Sequence, residues 1–329
     1  MHFSPIGRSL TVLATVGAVL IPASLPFAQQ AATFSYPNRP IRFVVPFPAG
    51  TSPDVLARTI GAKLSESWGQ PVVIDNRPGA AGMIGTGIAA KAPADGYTVL
   101  FAVLSIMAFN PHVYAKVPYD TFKDFAPLTE IAIAPHVLIA TPSFPANSLN
   151  ELIQIAASQP GKIDFASAGV GSGPHLMMET FSHAAKINLT HIPFKSNGLS
   201  EVMAGQVSIS FDPLVTSLPQ IKAGKVKALA VSESVPQLPN VPNISTTFPA
   251  FNVGMWHGAF VQSTVPKDIV AKLNSEFVKI IRSPDVQARF SEWGLRTVAS
   301  TPEEFKEELR RDYPKWGDFI KDLGIKVDL

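Results

Sequence analysis

"IRFVVPFPAGTSPDVLARTIGAKLSESWG", residues 41–69, sets a continuous apolar run against a stiff loop and then against a stripe at helical spacing. The run 41–47 is rich in β-branched and aromatic residues, as expected of a strand buried on both faces. Leu56, Ile60, Leu64 and Trp68 recur every four residues, which predicts an amphipathic helix closed by Gly69. Between them lie Pro46, Pro48, Gly50 and Pro53, with the hydroxyls of Thr51 and Ser52 and no cation. The loop therefore either only turns the chain or presents backbone N–H groups to a ligand.

The pattern repeats outward. "VVIDN" (72–76) and "YTVLFAV" (97–103) read as strands, with a glycine-rich turn and a helix, "PGAAGMIGTGIAAKA", between them. That β-α-β-α-β order is the unit of a doubly wound parallel sheet. A second series follows: "EIAIAPHVLIAT" extended, a helix from Ser148, and strands at 163–168, 189–194, 208–213 and 226–231. A short helix is predicted near 197–204. After a turn-rich stretch, "GMWHGAFVQ" (254–262) reads as a strand and the remainder as helices. Those helices have no sheet of their own, so the economical path returns the chain to the first sheet. The expected fold class is α/β, with two doubly wound lobes joined by a two-strand hinge around a cleft. Residues 34–134 plus 253–329 would form lobe one and 135–252 lobe two. Open α/β sheets bind ligands at the carboxyl ends of their strands.

Arg8 followed by "SLTVLATVGAVLI" and then by small residues near Ala28 reads as a secretory signal peptide over residues 1–28, too short to span a bilayer. The mature chain is then expected to be exported and soluble in the periplasm. With no cysteine there is neither a disulfide framework nor a thioether lipid anchor. A formal charge of +2 with scattered Lys and Arg gives no nucleic-acid or membrane footprint.

Proline at the start of a helix and a hydroxyl before it are start signals. They make Ser52 the expected N-cap and Pro53 the first helical residue, with Asp54 in the first turn. Lobe two carries the same device in "DFASAGVGSGPH": Ser167, Ala168, Gly169, Gly171 and Ser172, then Pro174 and His175. Two helix N-termini facing one cleft would hold an anion without any cation. Asp54 and Asp212 either accept from a ligand amine or cap helices. Trp256 is expected to pack in the hinge.

Together "YPNRPIRFVVPFPAGTSPDVLAR", "GQPVVIDNRPGAAGMIGTGIAAKAPADGYTVLF", "FASAGVGSGPHL" and "PQIKAGKVKALAVS" resemble the Bug family, over nearly the whole mature chain. These are extracytoplasmic solute receptors related to the binding component of tripartite tricarboxylate transporters. The resemblance implies a type II periplasmic-binding-protein fold that closes on a small carboxylate (organic, aromatic or amino acid) and delivers it to a membrane transporter. By position, the family's Phe-Pro-x-Gly-Gly loop falls on Phe47, Pro48, Ala49, Gly50 and Thr51, with threonine in place of the second glycine. Its serine- and glycine-rich loop falls on Ser167 to Ser172, with His175 at a usual histidine position. Its Asp-Asn reads Asp212-Pro213, and its Tyr-Lys-Gly reads Phe194, Lys195 and Ser196. Ser105, after the third strand of lobe one, completes the expected ligand contacts.

The expectation is a monomeric binding protein, with no catalysis and no cofactor. Neither "GAAGMIGTG" nor "GVGSG" contains G-x-G-x-x-G, and no G-x-S-x-G surrounds Ser172. His183, His191 and His257 have no metal-ligand spacing. Two alternatives stand beside it: an exported hydrolase using Ser172 and His175, and a sensor that presents its ligand to a membrane signalling protein.

Overall fold

The structure, a computed structural model, describes residues 1–4, 7, 9, 36–249, 251 and 253–327. Apart from its first few residues, the segment read as a signal peptide lies outside the described residues. Everything that follows concerns the unit Tyr36–Leu329.

Its first half runs β1 (Ile41–Val45), α1 (Ser52–Trp68), β2 (Val72–Asn76), α2 (Met83–Ala90), β3 (Thr98–Val103), α3 (Asn110–Val113) and β4 (Phe125–Ile133). There follow β5 (His136–Ala140), α4 (Leu149–Ser158), β6 (Asp164–Ser167), α5 (Gly173–Ala185), β7 (Thr190–Pro193) and α6 (Leu199–Met203). Next come β8 (Ile209–Pro213), α7 (Leu214–Lys222), β9 (Lys227–Val231) and α8 (Ile244–Thr247). The chain ends with β10 (Trp256–Gln262), α9 (Lys267–Ile281), α10 (Pro284–Glu292), β11 (Arg296–Thr297) and α11 (Pro302–Asp322).

Two sheets result. One has the order β11-β4-β10-β3-β1-β2, with β1, β2 and β3 parallel and β10 antiparallel to both β3 and β4. The other has the order β7-β6-β8-β5-β9, with β6 parallel to β7 and β8. Parallel strands need both faces covered, which explains the unbroken apolar runs. Phe43 on β1 meets Phe101 on β3 at 4.8 Å and Phe277 on α9 at 5.7 Å between ring centroids. On α11, Phe305 meets Trp256 of β10 at 5.0 Å. The late helices thus return to the first sheet. Helix α11 opens on a reciprocal capping box formed by Thr301 and Glu304.

The chain passes between the sheets twice, at 134–135 and before β10, and Ala134 N–H donates to Met255 C=O at 2.9 Å where the passages meet. Trp256 lies beside that contact, buried, its Nε1 donating to Asp312 at 2.8 Å.

Several elements differ from expectation. The N-cap of α1 is Thr51 rather than Ser52, and Pro53 is the second helical residue. The reason is that Asp54 Oδ2 accepts from Gly50 N–H at 2.8 Å, closing the turn one residue early. Pro174 likewise follows Gly173, with Ser172 as N-cap. Helix α7 fills a stretch with no predicted element; its internal Pro219 removes one backbone donor but leaves the flanking turns intact. A wide π-helical turn, Ser105–Phe109, leads into α3.

Candidate functional site

The carboxyl ends of β1, β3, β6 and β8 open on one cavity of about 590 Å³. That is ample for a small ligand, since ligand pockets span roughly 300–1,000 Å³.

The first wall is the loop 46–53. Gly50 takes φ of +82°, which a side chain resists, and Thr51 Oγ1 donates to Pro48 C=O at 2.7 Å. The hydroxyl at the glycine-to-threonine departure therefore stiffens the turn. Asp54 stands behind the wall. Besides Gly50 N–H it accepts from Arg58 Nε and Asn76 Nδ2, each at 2.9 Å, while Asn76 Nδ2 also reaches Phe47 C=O at 3.1 Å. Burial alone would raise this carboxyl. The bonds from Arg58, Gly50 and Asn76 outweigh it and hold the group below the usual range. Ser52 is 1% exposed, lines the cavity, and its hydroxyl has no partner.

The second wall is the loop 168–174. Ser172 Oγ donates to Gly169 C=O at 2.7 Å, and Gly169 takes φ of +103°. His175 Nδ1 accepts from Gly171 N–H at 3.3 Å, and its ring packs 4.3 Å from that of His191. Burial, and then His191 beside it, push His175 down to about 3. With Nδ1 engaged as an acceptor and Nε2 turned to Glu179 at 3.7 Å, His175 has no nitrogen for Ser172. The Ser172–His175 pair that a hydrolase would need is not formed. His191 Nε2 lies 2.6 Å from Ser167 Oγ, so Ser167 braces the loop from behind.

Phe47, Pro48, Thr51, Ser52, Ser105, Ala168, Gly169 and Ser172 thus line the cavity together, with Phe194 and Lys195. Gly50, Asp54, Ser167, Gly171, His175 and Asp212 do not; Gly50 is exposed on the outer side of its loop, and the other five are buried. Asp212 is buried, pushed up to about 7 by that burial, and bonded to Thr216 and to the Asn197 side chain. Asn197 itself faces the cavity. An amide therefore reaches the site from the loop before α6, where Pro213 offers none.

Other residues were missed from sequence. Pro78 to Gly82 form a third wall, in which Ala80 and Ala81 hold φ of +47° and +50°. Such strain in non-glycine residues concentrates at functional sites. Its signal was present in "RPGAAG" after β2, read only as a turn. Tyr114 lines the cavity and its hydroxyl donates to Val170 C=O, tying the segment after α3 to the second wall. His136 and His257 close the hinge end. Lys195, exposed at the rim, is the sole Lys, Arg, Asp or Glu among the lining residues.

A sequence model described as "Tripartite tricarboxylate transporter family receptor" matches residues 56–325. The chain belongs to this family. The receptor is 35% identical over 300 residues to the UPF0065 protein in the tcbD-tcbE intergenic region of Pseudomonas sp. strain P51, covering 89% of each chain. It is 31% identical to Protein BugT of Bordetella pertussis over 322 residues, 96% of this chain and 98% of the other. Among solved structures, the periplasmic binding protein BugD is 32% identical with a TM-score of 0.84, over 89% of this chain and all of that one (100%). Rpa4515 of R. palustris, solved with adipate, is 32% identical with a TM-score of 0.85, over 89% and 100%. MatC from Rhodopseudomonas palustris, solved with malate, is 30% identical with a TM-score of 0.81, over 86% and 99%. This receptor is a Bug-type periplasmic solute-binding protein with the two-lobe type II fold, and its solved neighbours are binding proteins rather than enzymes. No described helix is long and apolar enough to cross a membrane.

Proposed function

We propose that the receptor closes on a small carboxylate in the periplasm and delivers it, as a monomer, to a tripartite tricarboxylate-type transporter. Residues 34–134 plus 253–329 and residues 135–252 would move as lobes about the Ala134–Met255 crossing. The observation that carries this reading is Ser52: a hydroxyl at the start of α1, 1% exposed, at the cavity wall and without a partner. A buried unpartnered hydroxyl costs about 1–3 kcal/mol unless something bonds it. A carboxylate oxygen would do so, alongside the free N–H groups of the first turns of α1 and α5. Adipate and malate, held by the two R. palustris neighbours, fall in the same chemical class.

The test is calorimetry on the mature protein with a panel of carboxylates that includes both. Ser52→Ala is expected to weaken the best of them by about tenfold or more, without lowering the melting temperature of the unliganded protein. Binding of no carboxylate below about 1 mM would overturn the reading. Tyr114→Phe removes the hydroxyl that spans the cleft. It is expected to speed ligand release by about three- to tenfold in stopped-flow, with association nearly unchanged.

A further inference from the structure

The hinge end of the cavity holds two histidines that carboxylate recognition at the opposite walls does not use. His136 begins β5 and His257 lies at the start of β10, on either side of the Ala134–Met255 contact. They are 3% and 4% exposed, and both face the cavity beside Val103, Met255 and Pro213. His136 Nδ1 lies 2.9 Å from Ala134 C=O. A carbonyl can only accept, so Nδ1 carries the proton and Nε2 is left as a bare acceptor. His257 Nδ1 is buried with no partner.

We propose that these two imidazoles form a subsite for a hydroxyl group, so that the ligand is a hydroxy-carboxylate. This rests on the carboxylate-receptor reading above and narrows it. A hydroxyl can donate its one proton to His136 Nε2, and its oxygen can accept from His257 when Nδ1 carries the proton. A second carboxylate only accepts and would meet the His136 lone pair. The proton that could mend this is not available near neutral pH: burial pushes His136 down to about 4, and burial followed by the charge of His136 pushes His257 to about 3. An ammonium would lie buried with no carboxylate among the residues lining that end, a costly arrangement. A plain alkyl chain would leave both nitrogens dry and unbonded.

The test compares matched acids by calorimetry on the mature protein: malate with succinate and aspartate, 4-hydroxybenzoate with benzoate, 3-hydroxybutyrate with butyrate. In the set that fits the cavity, the hydroxylated member is expected to bind at least about tenfold tighter than the others. That ratio should collapse towards one in His136→Phe and His257→Phe. His136→Gln, whose amide oxygen restores an acceptor near Nε2, should recover part of it. If carboxylates bind but hydroxylated and plain members are equal, the subsite is overturned while the receptor reading stands. A tighter amino member overturns it too. If no carboxylate binds, the receptor reading falls and the subsite with it. Should a phenylalanine variant fail to fold, the wild-type ratio alone still decides.

Discussion

Asp54→Ala is expected to destabilise the unliganded receptor by about 3 kcal/mol, enough to lower its melting temperature by several degrees. The carboxylate is 1% exposed and gathers Gly50 N–H, Arg58 Nε and Asn76 Nδ2. Removing it strands the Gly50 donor and frees Asn76, which also fastens Phe47 C=O. Arg58 is half exposed and returns to water, so its charge is not the main loss. The loop that carries Ser52 would then be unsupported, and carboxylate affinity should fall with stability. The pH dependence has a definite sign. The folded-state pKa is depressed below the unfolded value near ~3.9, so the contribution is complete above about pH 4 and is lost as pH falls through the folded value. Chemical denaturation at pH 7 and at pH 3 should show the wild-type advantage shrinking in acid. A variant within about 0.5 kcal/mol of wild type at pH 7 would mean that Asp54 does not support the wall.

The β1–α1 stretch was legible because one periodicity changes into another across a short loop. Leu56, Ile60 and Leu64 are fully buried as the stripe requires, and Trp68 at its end is half-buried. The returning helices were legible by elimination, since amphipathic helices without a sheet must cover an existing one. What stayed hidden has physical causes. Pro219 disguised α7, and the unbroken apolar run "IMAF" after Ser105 offers no period to read. A resemblance carries residues over by position along the chain, but which layer a side chain occupies is set in three dimensions. Asp54, Ser167, Gly171, His175 and Asp212 therefore sit buried in loops, helix starts and strand ends that border the cavity without lining it, and Gly50 lies exposed outside it. His136 and His257 look in sequence like any histidine in an apolar strand. Only the meeting of the passages before β5 and before β10, at Ala134 and Met255, brings both to the cavity, and no local pattern records it.

Gly85→Val is expected to be the most damaging small change near the site. Glycine inside a helix is ordinarily a weakness, and alanine in its place would add about 1 kcal/mol on an exposed face. At Gly85 a Cβ would lie 2.7 Å from Arg77 C=O and 2.9 Å from both Cα and Cβ of Pro46. Those neighbours are backbone atoms and a proline ring, so no rotamer change relieves the contact. Either α2 moves out or the strand end carrying Pro46 moves in. Overpacking of this kind outweighs the helix propensity gained: a net loss of about 2 kcal/mol is expected for Gly85→Ala and about 3–4 kcal/mol for Gly85→Val. The displaced parts are the first wall at Pro46 and the third at Pro78 to Gly82, which α2 follows directly. Affinity for the best carboxylate should therefore drop even where the protein remains folded, which calorimetry below the melting temperature would register. An alanine variant as stable as wild type would show that α2 can slide without cost, and the close packing of these two walls would then not be what shapes the cavity.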